Sequence, residues 1–149
     1  MLIVDVSINQ NQSLGFAVKR LQHAMRKKMD ARLGAIGLTL PQYTALALLS
    51  ASPNMSNAEL ARRSFLAAPT MLRIIDNLVE SGLVDRADIT DRSRALSLTP
   101  AGNQALTRAA ELVQDIENIL RGALDSPDQA GPARDWLNRA TEALEATDD

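Results

Sequence analysis

The residue types that usually carry catalysis or bind metals are scarce in this sequence, since cysteine is absent and histidine occurs once, and arginine is the main side chain left that could bind a ligand. Without cysteine the chain has no disulfide, thiolate zinc ligand, iron–sulfur cluster or thiol nucleophile. A single histidine argues against a His-based metal site and against Ser-His-Asp catalysis. The acidic residues form no recognisable acid–base pair, and there is no glycine-rich phosphate loop. The sequence therefore indicates neither an enzyme nor a protein with a metal or an organic cofactor.

The charges are unevenly distributed along the 149 residues, although the net charge is only −2. Residues 1–54 hold six basic and two acidic residues, residues 55–100 hold six of each, and residues 101–149 hold four basic and ten acidic residues. A basic front and an acidic tail suit helices that pair with each other, or a nucleic-acid face on one side of the molecule. Ordinary solvated surface charge is the alternative interpretation.

The elements that position these charges are predicted to be mainly helical. The chain has 23 alanines and only four aromatic residues, a balance that favours helix over sheet. Apolar residues three and four apart predict six helices, over residues 14–36, 41–51, 57–63, 68–81, 100–123 and 133–146. The dipeptide at 131–132, Gly-Pro, is predicted to lie in a loop.

Local signals mark several helix ends. Thr39 with Gln42, and Ser56 with Glu59, have the spacing of capping boxes that begin helices. Gly82 is placed to end the helix over residues 68–81. These signals predict short helices separated by tight turns.

The periodicity changes after Gly82. Residues 83–87 and 95–98 are strand-like, and the polar residues 88–94 between them predict a β-hairpin with a charged tip. Three short helices followed by a hairpin predict a mainly α (α+β) fold: a winged helix-turn-helix lobe at residues 39–99 with a two-stranded β-wing. The flanking helices, within 12–37 and 100–147 of this single 1–149 chain, carry apolar stripes that predict packing against each other and against a second copy.

Membrane signals are weak. The apolar start ends at Asp5, too early for a signal peptide, and the uncharged segment around residues 43–51 is too short to span a bilayer. We expect a soluble, cytoplasmic protein with no membrane partner.

Three stretches of the sequence carry distinctive motifs, namely GLTLPQY at 37–43 and on to Leu49, AELA at 58–61 with RIIDNLVESGLV at 73–84, and DRSRALSLTPAG at 91–102. Together they resemble the MarR family of bacterial transcriptional regulators. Glu-Leu-Ala alone recurs in many helix-turn-helix proteins, but the three stretches in this order resemble the family over about residues 14–144.

The resemblance implies a homodimer that binds double-stranded DNA at a pseudo-palindromic operator. It further implies a repressor that a small aromatic or phenolic anion releases from its operator. The helix over residues 68–81 would enter the major groove and the wing would contact the minor groove. The residues expected to contact DNA are Ser56, Asn57, Arg62, Arg63, Pro69, Thr70, Arg73, Asn77, Asp91, Arg92 and Arg94.

Several of these roles have alternatives. Arg73 would bind guanine, or instead a phosphate, or pair with Asp76 or Glu80. Ser56, Asn57, Arg62 and Arg63 would hold phosphates, and a solvated face is the alternative for the two arginines.

The wing departs from the family pattern. Thr90 stands where the family usually has Asp, and Asp91 follows one place later. It is therefore open whether Arg92 or Arg94 enters the minor groove, where an inserted arginine gains from the negative potential.

A cleft for the effector is expected between the first helix, the helix over residues 41–51 and the long helix after Thr99. Arg20, His23 and Tyr43 are its candidate polar contacts. A surface or interface role for His23 and core packing for Tyr43 are the alternatives.

The predicted recognition helix is also unusually apolar. Ala67, Ala68 and Leu72 occupy places where many relatives are polar, so we expect specificity to depend on the wing and on DNA shape. The alternative is a MarR-like helical interaction protein with weakened or lost DNA binding.

Overall fold

The computed structural model describes residues 12–90 and 93–147, with the backbone alone for residues 88–90, 93 and 94. The helices in this part of the chain are α1 (Leu14–Gly34), α2 (Leu40–Ala51), α3 (Asn57–Arg63), α4 (Ala68–Glu80), α5 (Pro100–Gly122) and α6 (Ala130–Glu145). The strands are β1 (Val84–Thr90) and β2 (Ser93–Leu98), and a 3₁₀ turn, Pro127–Gln129, precedes α6. The prediction of a mainly helical winged helix-turn-helix fold is confirmed.

The chain divides into two compact units, Met1–Leu112 and Val113–Asp149. The first contains α1 to α4, the hairpin and the start of α5, and the second contains the end of α5, the 3₁₀ turn and α6. The functional division into residues 12–37, 39–99 and 100–147 stays a prediction.

The first unit is built around one apolar core. Each helix of the lobe contributes side chains that are almost fully buried, and both strands add one more each. The buried members are Leu33, Leu38, Ala45, Leu46, Leu49, Met55, Leu60, Ala61, Met71, Ile75, Leu78, Val84, Leu96 and Ala109. Since α3 and α4 both bury side chains here, the core holds them together and fixes which face of α4 is left outside.

The start of α2 is fixed by the reciprocal capping box that the sequence predicts. The amide of Gln42 donates to Thr39 Oγ1 at 3.3 Å, and the amide of Thr39 donates to Gln42 Oε1 at 2.9 Å. Two helix-terminal amides that would otherwise lack partners are satisfied in this way.

Helices α1, α3 and α4 end in the same arrangement, which we call the left-handed C-cap. At the end of α4 the amide of Leu83 donates to the carbonyl of Leu78 at 2.9 Å, across Gly82 with its φ of 75°. Gly37 has the same position after α1, with φ 78°. After α3 the position is occupied by Phe65, with φ 56°. Glycine adopts this conformation without steric cost, whereas phenylalanine does not.

The start of α5 is attached to the end of α4 and the root of the wing, and we call this contact the Thr99 junction. Thr99 Oγ1 donates to the carbonyl of Gly82 at 2.6 Å, and the Thr99 amide donates to the carbonyl of Leu83 at 3.1 Å. The same hydroxyl accepts from the amide of Gly102 at 3.0 Å. A Cβ on Gly102 would lie 2.0 Å from the Leu83 carbonyl oxygen, so only glycine fits there.

The second unit corrects one prediction. Gly131 and Pro132 lie in the first turn of α6 and not in a loop. Proline is tolerated there because the first amides of a helix have no intrahelical partner to lose. The predicted interruption between the last two helices is confirmed around Asp125, whose amide donates to Gln129 Oε1 at 3.0 Å.

Candidate nucleic-acid interface

Helix α4 presents one face to the core and the opposite face to solvent. Met71, Ile75 and Leu78 are buried, with at most 1% of each side chain exposed. The exposed residues of the helix are Ala68, Pro69, Leu72, Arg73, Asp76, Asn77 and Glu80. We call these seven residues the outer face of α4. Of the DNA contacts predicted on this helix, Pro69, Arg73 and Asn77 lie on the outer face, and Thr70 is half-buried.

Arg73 carries the unpaired positive charge of this face. Among the described residues it forms no ion pair, although Asp76, three positions on, is at pairing distance along a helix. Asp76 instead binds another arginine. The planar guanidinium of Arg73 therefore keeps its donors for an external acceptor, such as guanine or phosphate.

Asp76 links the outer face of α4 to the wing. Arg86, on β1, donates from Nη2 to Asp76 Oδ1 at 2.6 Å. The arginine side chain is 22% exposed and the aspartate 53% exposed, so the pair lies at the surface. Sequence reasoning considered Asp76 only as a partner for Arg73. No helical or strand spacing rule joins a helix residue to a strand residue ten positions later, and tertiary structure is needed to see the pair.

The start of α3 uses its polar residues internally. Ser56 Oγ accepts from the amide of Glu59 at 3.1 Å, and Asn57 Nδ2 donates to the carbonyl of Ala68 at 3.2 Å. The second contact ties the start of α3 to the start of α4. The Ser56 hydroxyl hydrogen is not used by the bond from Glu59 and remains free to donate.

The second predicted capping box is half wrong. Ser56 caps α3 as expected, but the Glu59 carboxylate binds two arginines and does not reach back to the N-cap amide. Arg62 Nη2 lies 2.6 Å from Glu59 Oε2, and Arg63 Nε lies 2.8 Å from Glu59 Oε1. Hydrogen bonds from Arg62 first and then from Arg63 lower the pKa of Glu59, and Glu59 raises the pKa of Arg62. We call this group the Glu59 cluster; its net charge is +1.

The strands of the wing are longer than the sequence predicts. The strands extend through Thr90 and resume at Ser93, and therefore include most of the predicted seven-residue turn. Asp88 pairs with Arg94, but the next pair is Thr90 with Ser93, so Ile89 forms a β-bulge. Strand pairing extends into a polar segment here because backbone hydrogen bonds form whatever the side chains are.

The wing residues expected to contact DNA fall largely outside the described part. Asp91 and Arg92 lie outside the described residues, as does the side chain of Arg94. The backbone of Arg94 is described and is paired with Asp88. The choice between Arg92 and Arg94 as the minor-groove contact stays open.

Two of the three predicted effector residues lie together. Arg20 and His23 are exposed on α1 and line a shallow cavity of about 380 Å³ together with Phe16, Lys19 and Ala24. Tyr43 is half-buried against the apolar core and does not line this cavity. The structure therefore places the two basic residues on one surface and Tyr43 in core packing.

Two further features bear on the kind of site. In residues 12–90 and 93–147, no group of three or more His, Asp or Glu residues is arranged to hold a metal ion. No helix within the same ranges is long and apolar enough to cross a membrane.

The fold and this surface define a winged helix-turn-helix protein. Helices α3 and α4 form the helix-turn-helix, and the β1–β2 hairpin, held to α4 by Arg86, is the wing. The outer face of α4 is the recognition surface of such a lobe.

Comparison with known proteins identifies the family. Residues 38–95 match the MarR family. Over 118 residues the chain is 32% identical to the HTH-type transcriptional repressor Rv2887 of Mycobacterium tuberculosis, an alignment covering 78% of this chain and 85% of the relative. The chain belongs to the MarR family. It is a transcriptional regulator with a winged helix-turn-helix lobe and not an enzyme, as the sequence predicts.

Solved structures of MarR family proteins have a similar fold. The fold is similar to that of the M. tuberculosis MarR family protein Rv2887 in complex with salicylic acid, with a TM-score of 0.67 and 31% identity, covering 89% of this chain and 96% of that one. It is also similar to the transcriptional repressor CouR bound to a 23-mer DNA duplex, with a TM-score of 0.75 and 28% identity, covering 91% and 94%.

Proposed function

We propose that this regulator is a homodimeric repressor that binds a pseudo-palindromic operator and is released from it by a small aromatic anion. The observation that carries the proposal is the guanidinium of Arg73 on the outer face of α4, which has no ion-pair partner within residues 12–90 and 93–147 and lies beside a wing that Asp76 and Arg86 hold to the same helix. An α-helix fits the major groove of B-DNA, and a bidentate arginine contact distinguishes guanine from the other bases. The DNA complex of the similar repressor CouR supports the same use of the lobe.

The terminal helices support a dimer. On α1, Leu14, Val18 and Leu21 are between 45% and 68% exposed, and on α6, Trp136 and Leu144 are 39% and 72% exposed. Residues 14–34 carry six basic residues and one acidic residue, whereas residues 113–149 carry three basic and nine acidic residues. Opposite charges beside exposed apolar stripes favour packing between the terminal helices of two copies. Two lobes would then address half-sites one helical turn apart.

A ligand is supported by the surface around Arg20 and His23. The cavity there joins cationic side chains with the ring of Phe16, a combination that suits an aromatic carboxylate. The complex of the similar protein Rv2887 with salicylic acid supports this class of effector. Release would follow from linkage, since a ligand that prefers the conformation with poorly spaced lobes weakens operator binding by its differential affinity.

The first test is an anisotropy titration against DNA from upstream of the protein's own gene, beside a scrambled duplex, at two salt concentrations. We expect a preference of about 10³-fold or more for the native duplex, and affinity that falls as salt rises. Arg73→Ala should reduce that preference, whereas Lys27→Ala, which removes an exposed charge from α1, should not. Light scattering should give twice the mass of one chain. Equal, weak binding to both duplexes, unchanged by Arg73→Ala, would contradict the proposal.

The effector is tested by adding salicylate to the preformed complex. We expect dissociation at ligand concentrations that Arg20→Ala or His23→Ala raises, with Lys27→Ala as the matched control on the same helix. Operator binding that survives saturating salicylate and other aromatic carboxylates would remove the effector from the proposal and leave DNA binding intact.

The second candidate function is a helical interaction protein that keeps the fold and has weakened or lost DNA binding. The Glu59 cluster favours it, because both arginines expected at phosphates already share a carboxylate. Weak binding that is equal on every duplex, and that neither Arg73→Ala nor Arg92→Ala changes, would support this candidate over the first.

A further inference from the structure

Leu72 is the large apolar side chain on the outer face of α4. It is 47% exposed, and it lies one turn after Ala68 and Pro69 and directly before Arg73. The first half of the outer face is therefore apolar around Leu72, with a single cation at its edge.

The core does not require a leucine at this position. The buried face of α4 is already filled by Met71, Ile75 and Leu78, each at most 1% exposed. A polar residue at position 72 would face solvent with no loss of core packing. A half-exposed leucine is instead suited to a surface that covers it when the partner binds.

The partner here is the floor of the major groove, and its chemistry is restricted. Thymine is the natural base that presents a methyl group there, while adenine, guanine and cytosine present only polar edges. Asp76, the acidic residue one turn further along, accepts from Arg86 at 2.6 Å through Oδ1, so part of its acceptor capacity is already used to hold the wing.

We infer that Leu72, flanked by Ala68 and Pro69, reads the C5-methyl group of thymine, so that each operator half-site has a thymine facing the start of α4. This inference rests on the proposed function. It replaces the expectation that an apolar recognition helix leaves specificity to the wing and to DNA shape. Arg73 would read a guanine close by, and the two together would specify a thymine and a guanine in each half-site.

The test begins with selection of binding sites by the 149-residue chain from a pool of random duplexes. We expect one thymine position per half-site to be enriched, and Leu72→Ala to lose that enrichment while the guanine position remains. In the selected duplex, replacing that thymine by uracil in one half-site removes only the methyl group. This should weaken wild-type binding about fourfold, the value of one buried methyl.

The decisive measurement is a double-mutant cycle that combines Leu72→Ala in the protein with the thymine-to-uracil replacement in the DNA and compares the four binding affinities. The Leu72→Ala variant should bind thymine and uracil duplexes equally, because the contact is already lost, and Leu72→Met should recover most of the discrimination. Glu80→Ala, on the same face at the far end of α4, and uracil outside the half-sites serve as controls that should change neither ratio. Circular dichroism checks that each variant folds.

The failures are distinguishable. If no sequence is enriched from the pool, the proposed function is wrong and the inference falls with it. If a sequence is enriched but wild type binds its thymine and uracil forms equally, Leu72 does not read a methyl group and the inference alone is overturned. The same conclusion follows if Leu72→Ala retains the full discrimination.

Discussion

Phe65 offers a sharp test of how the helix-turn-helix is stabilised. It occupies the left-handed C-cap of α3, with the amide of Leu66 donating to the carbonyl of Ala61 at 2.9 Å and φ at 56°. The side chain is 93% exposed and packs against almost nothing. The chain therefore has a strained backbone position whose side chain brings no compensating burial.

The expected effect of Phe65→Gly is an increase in stability. A non-glycine residue in the left-handed conformation costs roughly 1–2 kcal/mol. Glycine removes that cost but loses about 0.4–1 kcal/mol through the greater entropy of the unfolded chain. Burial contributes little, because only 7% of the Phe65 side chain is covered, the remainder of the 93% exposure. The net gain is between about 0 and 1.6 kcal/mol, centred near about 0.8 kcal/mol, or roughly 2–3 °C in Tm at the centre of that range for a chain of this size.

The assay is urea and thermal unfolding at fixed protein concentration, because a dimer's stability depends on concentration. Gly82→Ala is the matched control at the corresponding position after α4, where φ is 75°, and it should lower stability by about 1 kcal/mol. Phe65→Ala should be close to neutral, since it keeps the strain and removes only an exposed ring. Destabilisation of Phe65→Gly by more than about 0.5 kcal/mol would refute the reasoning, because the ring would then contribute more than its exposure allows.

Three further expectations follow from the same contacts. Gly102→Ala should destabilise by roughly 1–3 kcal/mol in urea unfolding, because its Cβ would meet the carbonyl of Leu83 at 2.0 Å; wild-type stability would contradict that close approach. Asp76→Asn should cost at most about 1 kcal/mol, less in high salt, because its pair with Arg86 is half-exposed; a larger, salt-independent loss would argue against a surface pair. The Glu59 carboxyl should titrate by NMR below its ordinary 4.5, and back toward 4.5 once its two arginine partners are replaced by alanine; an unchanged midpoint would contradict the cluster. Because the folded pKa is lowered, the stabilising effect of Glu59 is present above about pH 4.5 and is lost as the pH falls through the folded pKa.

The fold was predictable because its signals are local. Helix periodicity, the Thr39–Gln42 box and Gly82 act over three to five residues, and each is confirmed in the structure. The strands were placed correctly but ended too early, since residues 88–94 are polar and turn-prone. Residue preferences do not show how far backbone pairing extends, because those hydrogen bonds are independent of side-chain type.

The candidate interface was less predictable because it depends on competition between partners. Glu59 has the spacing for a capping box and equally for ion pairs with residues three and four positions on. In the structure its carboxylate accepts from Arg62 and Arg63 and does not complete the capping box. Arg73 has Asp76 within reach along its helix, yet Asp76 is bound by Arg86 from the wing. Sequence spacing gives the possible partners, and only the tertiary structure decides among them.

The Thr99 junction also couples the start of α5 to two other elements. The part of α5 that belongs to the first unit, residues 100–112, spans about 20 Å, and its first turn is joined through Thr99 to both Gly82, at the end of α4, and Leu83, at the root of β1. Since no side chain fits between Gly102 and the Leu83 carbonyl, the two backbones pack closely there and a tilt of this segment is passed on to Leu83. A displacement of about 2 Å at Leu112 corresponds to a rotation of roughly 6° at the junction. Helix α4 and the wing, the two elements proposed to contact DNA, would receive that rotation together.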